Sequence, residues 1–144
     1  MTETDTLQDV LAGEHAAVYL FAVLGARTSE SGAPETYAAL RSGYDAHRDR
    51  RDELIGLVAA AGAVPVAAAT AYELPTGLET PAGVARAGLE LERSCARAYA
   101  AAVAETTAER RTLMIGALND AAVRELGLRG TPEMFPGADE YADR

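Results

Sequence analysis

Apolar residues along the first part of the chain, Leu7, Val10, Leu11, Val18, Phe21 and Leu24, fall on one face of a 3.6-residue helix. The same spacing returns at Leu40, Tyr44, Leu54, Ile55, Leu57 and Val58, and again at Val84, Leu89, Leu91, Cys95, Tyr99 and Val103. Breakers are grouped rather than scattered: Ser29 to Pro34, then Gly62, then Thr80 followed by Pro81, then Gly130 and Pro132. Thr80 reads as a helix N-cap and Pro81 as the first helical residue. Pattern and breakers together predict four helices, at about residues 6–28, 35–61, 81–105 and 108–128.

The predicted connections differ greatly in length. Residues 63–80, 63-AVPVAAATAYELPTGLET-80, form an 18-residue link between the second and third helices. At roughly 3.3 Å per residue, such a link can run the whole length of a helix about 40 Å long. Two helix hairpins joined by one long crossover are the wiring of a ferritin-like four-helix bundle, all-α and here a single domain over residues 1–144. The first helix is apolar nearly all round, with Tyr19, Leu20 and Val23 on its second side, so that side also needs a cover. The crossover and a homodimer contact are the two candidates, and they are compatible. The tail, residues 131–144, is too rich in Pro, Gly and acid for a helix; Met134 and Phe135 are expected to dock on the bundle and the last residues to fray.

At 100° per residue, a few polar side chains fall inside the apolar faces. Glu14 sits at the centre of the first helix's stripe, while its neighbour His15 lies at the flank. His47 is close to the centre of the second helix's stripe, with Arg51 about 30° and Arg50 about 70° away. On the third helix Glu92 faces inward and Glu90 does not. Counted from the first turn, Glu14 and His47 lie at matching heights, and Glu92 is nearly level with them at roughly 1.5 Å per residue. Three polar groups from three helices therefore converge near mid-bundle.

A carboxylate, a histidine and a carboxylate on successive helices, joined by this crossover, resemble the ferritin-like superfamily. The segments 14-EHAAVYLFAVLGA-26, 47-HRDRRDEL-54, 72-YELP-75 and 135-FPG-137 are similar to a bacterial family of ferritin-like domains of unknown function. Metal-binding members of the superfamily carry a dimetal site of Glu on two helices and Glu-x-x-His on the other two. Against that pattern, Glu14 and Glu92 match the two carboxylates. The second helix reads 44-YDAH-47, so Tyr44 stands where the bridging glutamate would be, and the fourth helix has no histidine. Glu125 falls on its inner face, and Asp120 points away. A di-iron centre needs about six protein ligands, more than these positions provide.

The preferred expectation is therefore no cofactor and no catalysis: a degenerate metal site replaced by a buried network of Glu14, Tyr44, His47, Arg51, Glu92 and Tyr99. In it Arg51, or Arg50, supplies the positive charge that a metal would have supplied. The alternative is a single iron, manganese or zinc ion held by Glu14, His47 and Glu92 with Glu125 beside them, and with it oxidoreductase or metal-storage activity.

Composition narrows the partners. A formal net charge of −9 argues against nucleic acid and anionic membrane. No run of 18 consecutive apolar residues is present, and the acidic start MTETDTLQDV is unlike a secretory signal, so the expected location is the cytoplasm. Cys95 is the single cysteine and reads as a small buried apolar residue. No substrate is implied.

Overall fold

The structure, a computed structural model of the chain, describes residues 1–129 and 134–138. Among these residues there are four helices and no strand: α1 (Glu3–Ala26), α2 (Pro34–Ala60), α3 (Pro81–Glu105) and α4 (Ala108–Arg129). Helix α1 starts earlier than periodicity implies because Thr2 and Asp5 form a capping box. The Thr2 hydroxyl accepts from Asp5 N at 3.1 Å, and the Asp5 carboxylate accepts from Thr2 N at 2.8 Å. Helices α2 and α3 open on a proline, and the Thr80 hydroxyl caps α3 by accepting from Gly83 N at 3.0 Å.

The main contacts pair α1 with α2, α3 with α4, α1 with α3 and, less extensively, α2 with α4. Glu3 of α1 accepts from Thr107 N at 2.7 Å and from the Arg110 guanidinium, tying the start of α1 to the start of α4. At the other end Gly88 of α3 lies against Leu40 of α2 and Leu128 of α4. Leu7, Leu11, Phe21, Leu40, Leu54 and Met114 are among the fully buried residues between the helices.

The connection after α2 returns along α1 and is fastened to it. Gln8 binds the extended segment twice, donating to Val64 O at 2.7 Å and accepting from Val66 N at 2.8 Å. His15, at the flank of α1, bonds Val66 O through Nε2 at 3.0 Å, and Tyr72 packs its ring on Tyr19 at 5.4 Å. Tyr19, Leu20 and Val23 are half-buried. Among the described residues α1 is the helix long and apolar enough to cross a membrane by length and composition. In this fold that apolarity serves a helix covered from two sides.

The tail departs from expectation. Met134 and Phe135 are 76% and 63% exposed, and the contact with α3 is made by Gly137, where a Cβ would sit 2.8 Å from Ala96 O and 3.0 Å from the Ala100 side chain. Alanines present no pocket for a large side chain but let backbone come close. The expected fraying of the last residues lies outside the described residues.

Two positions test this local reasoning. A Cβ at Gly83 would lie 1.7 Å from Gly77 O. Gly83→Ala is expected to cost about 2 kcal/mol or more in urea unfolding followed by circular dichroism. Ala108 opens α4 at φ +47, a conformation unfavourable by roughly 1–2 kcal/mol for residues with a Cβ. Ala108→Gly should raise stability by about 0.5 kcal/mol once the added freedom of the unfolded chain is subtracted.

Candidate functional site: a buried imidazole between two carboxylates

His47 is fully buried, and its two ring nitrogens face different helices. Nδ1 lies 2.7 Å from Oε2 of Glu14 on α1, and Nε2 lies 3.3 Å from Oε1 of Glu92 on α3. A neutral imidazole has one N–H and can donate to one carboxylate; only the imidazolium donates to both. Burial is the largest single influence on His47 and pushes its pKa down, but hydrogen bonds and charge from Glu14 and Glu92 outweigh it and leave the value raised above 6.5. Glu92 shows the converse. Burial pushes its carboxyl up, yet His47 and Arg124 together hold it below 4.5.

The two carboxylates are further satisfied from outside the pair. The Tyr99 hydroxyl donates to Glu14 Oε1. Its pKa is pushed well above 10, first by burial and then by the neighbouring Cys95 and Glu14, so it stays a donor. Arg124 of α4 donates from Nε to Glu92 Oε1 at 2.7 Å. Arg50 lays its guanidinium 5.1 Å from the centre of the Tyr99 ring and donates to Asp120 at 3.2 Å. Phe21 stacks on the imidazole, with centroids 5.1 Å apart and planes 16° from parallel. Gly43 makes room for that ring, since a Cβ there would stand 2.8 Å from Phe21 Cε1.

Other expected members lie elsewhere. Arg51 is not part of the centre: it pairs with its neighbour Asp52 at 2.7 Å. Its Cα direction was favourable, but a long side chain follows the best-solvated partner. Tyr44 is half-buried, with its ring facing the Arg48 guanidinium at 5.8 Å. Glu125 is fully buried beside Arg93, whose Nε is 3.9 Å from Oε2. Arg124 was missed. Charge counting could have found it, because two buried carboxylates and one imidazolium leave one negative charge over, and Arg124 adjoins Glu125 on the inner side of α4.

The residues do not fit a metal ion. Among the described residues no group of three or more His, Cys, Asp or Glu could hold one. The reason is geometric, because His47 stands between the carboxylates instead of beside them, so the three donors share no common point. Both Glu14 oxygens are engaged, and Glu92 Oε2 is the one carboxylate oxygen of the trio without a hydrogen-bond partner. A dication would also face Arg124, at a site where imidazolium and guanidinium already balance the two carboxylates.

A family model described as "Domain of unknown function (DUF4439)" matches residues 6–140. The crystal structure of a conserved hypothetical protein from Mycobacterium tuberculosis is similar to the chain at 31% identity and a TM-score of 0.79, over 88% of this chain and 87% of that one. No curated protein matches.

Two outcomes are expected from this geometry. Arg124→Met, which strands Glu92 in the interior, should cost about 3 kcal/mol in urea unfolding, whereas Arg51→Met should stay within about 0.5 kcal/mol. Stability should also bend with pH. Above 6.5 the unfolded chain releases the His47 proton that the folded chain retains, so the contribution present below 6.5 is lost as pH rises through the raised folded value. For Glu92 the contribution is present above 4.5 and is lost as pH falls through the lowered value. Unfolding midpoints should therefore be highest from about pH 4.5 to 6.5, and a His47→Gln variant should lose the decline on the alkaline side.

Proposed function

Since the chain belongs to the DUF4439 family, whose description assigns no activity, we propose a role read from the chemistry of its own centre: a non-catalytic ferritin-like four-helix bundle. In this reading the chain is one domain, and the place of a dimetal site is taken by the salt-bridged row Tyr99, Glu14, His47, Glu92 and Arg124. The protein acts as a structural or interaction module and carries no resident metal.

The observation that carries this reading is the engagement of both His47 nitrogens by carboxylates of different helices. An imidazole so held has no lone pair to offer a metal and no free N–H to pass to a substrate. The other ionisable groups nearby are equally unsuited to chemistry at neutral pH. Burial pushes the Cys95 thiol well above 9, which leaves it an inert buried residue, and Tyr99 stays protonated. The helix contacts, and a connection that returns along α1 before α3 begins, favour the ferritin-like wiring.

Elemental analysis of protein purified after growth with iron, manganese and zinc is expected to find far less than one metal per chain. A pH titration followed by nitrogen NMR of the labelled protein should show His47 keeping both ring nitrogens protonated to higher pH than an ordinary imidazole. Stoichiometric metal that disappears in a His47→Ala variant, or a His47 that loses its second ring proton more easily than an ordinary imidazole, would overturn the reading.

A further inference from the structure

A groove of about 290 Å³ opens between the second half of α1 and the first half of α2. Ala22, Gly25 and Ala26 line it on the α1 side and Tyr37 and Tyr44 on the α2 side, with the buried Phe21 and Leu40 at its base. The α1 side leaves room because its residues are small: a Cβ at Gly25 would meet nothing within 4 Å. No crossover residue lines the groove, and the fastening at Tyr19 comes before Ala22 along α1. One charged side chain lines the groove, Arg41, which is held by a single contact from its Nε to Asp45 at 3.5 Å. A concave, mainly apolar site with a few polar groups, here two tyrosines and one guanidinium, is the usual form of a small-molecule site, and this volume is at the small end of that range.

We propose that this groove binds a small amphipathic carboxylate, its apolar body between the small residues of α1 and the tyrosines of α2 and its anionic group on Arg41. Charge decides the class of ligand. In a chain of net charge −9 the lining of this groove has one formal charge, and it is positive. The base also has a second role: the Phe21 ring there is the ring stacked on His47. A ligand here therefore lies over the lid of the buried centre. The inference is independent of whether that centre is metal-free, because no residue of the centre other than Phe21 lines the groove.

Octanoate, with octanol as its neutral counterpart, is a suitable probe, titrated into the labelled protein and followed by NMR. Octanoate is expected to shift the amides of Ala22 and Gly25 and the ring of His47 saturably. Gly25→Leu, which fills the groove from the α1 side, should abolish the shifts while leaving the helical circular dichroism spectrum unchanged. Arg41→Gln should weaken octanoate roughly two- to five-fold, the range that an exposed ion pair supports, and leave octanol unaffected. The proposal is overturned if octanoate gives no saturable shift at millimolar concentration, if octanol binds as tightly, or if Gly25→Leu binds unchanged. It is also overturned if Gly25→Leu instead abolishes a concentration-dependent self-association, which would assign the groove to a second copy of the chain.

Discussion

Three ionisable groups are shut away from water around His47, and the packing of the helices depends on that arrangement being internally neutral. Either carboxylate alone in the interior would cost several kcal/mol, and an unpaired imidazolium would cost as much. Held together, Glu14, His47 and Glu92 compensate one another, with Arg124 supplying the remaining positive charge. Each comes from a different helix. The four helices are thus fixed in rotation and height relative to one another, because a turn of any one would strand a charge. Apolar contacts alone specify less: leucines accept many neighbours at similar energy, whereas a nitrogen 2.7 Å from an oxygen does not.

Much of this was legible in the sequence. The helix bounds followed from breakers and 3.6-residue spacing, and the inward aspect of Glu14, His47 and Glu92 followed from 100° per residue, because each sits near the centre of its helix's buried stripe. Arginines escaped the same reasoning. Arg51 lies closer than Arg50 to the centre of the α2 face, yet it turns out to Asp52 while Arg50 reaches over Tyr99. A guanidinium on four rotatable bonds is placed by the charges around it, whether on its own helix, as Asp52 is for Arg51, or on another, as Asp120 is for Arg50. The capping box at Thr2 carries an Asp where the usual signal is Glu or Gln, so it gave little warning of the early start of α1. The tail misled for another reason. Hydrophobicity says that Met134 and Phe135 would gain from burial, but it does not say that a surface of alanines has room for them.

The crossover explains the unusual composition of α1. A helix at the surface has a polar side, but the outer side of α1 is occupied by the returning chain. Gln8 is the polar residue that makes this workable. Its amide both donates to and accepts from the extended segment, in the way a neighbouring strand would, so Val64 O and Val66 N keep partners beside an apolar helix. Tyr19 and Tyr72 then close the same seam.

The position of His47 between its carboxylates limits how the centre could change during evolution. In the salt-bridged row a proton is the shared cation. A divalent ion in its place would have to swing the imidazole aside, release Tyr99 from Glu14 and remove Arg124 from Glu92, and each of these steps taken singly leaves a buried charge without compensation. Exchange of one kind of centre for the other therefore calls for several of these changes together.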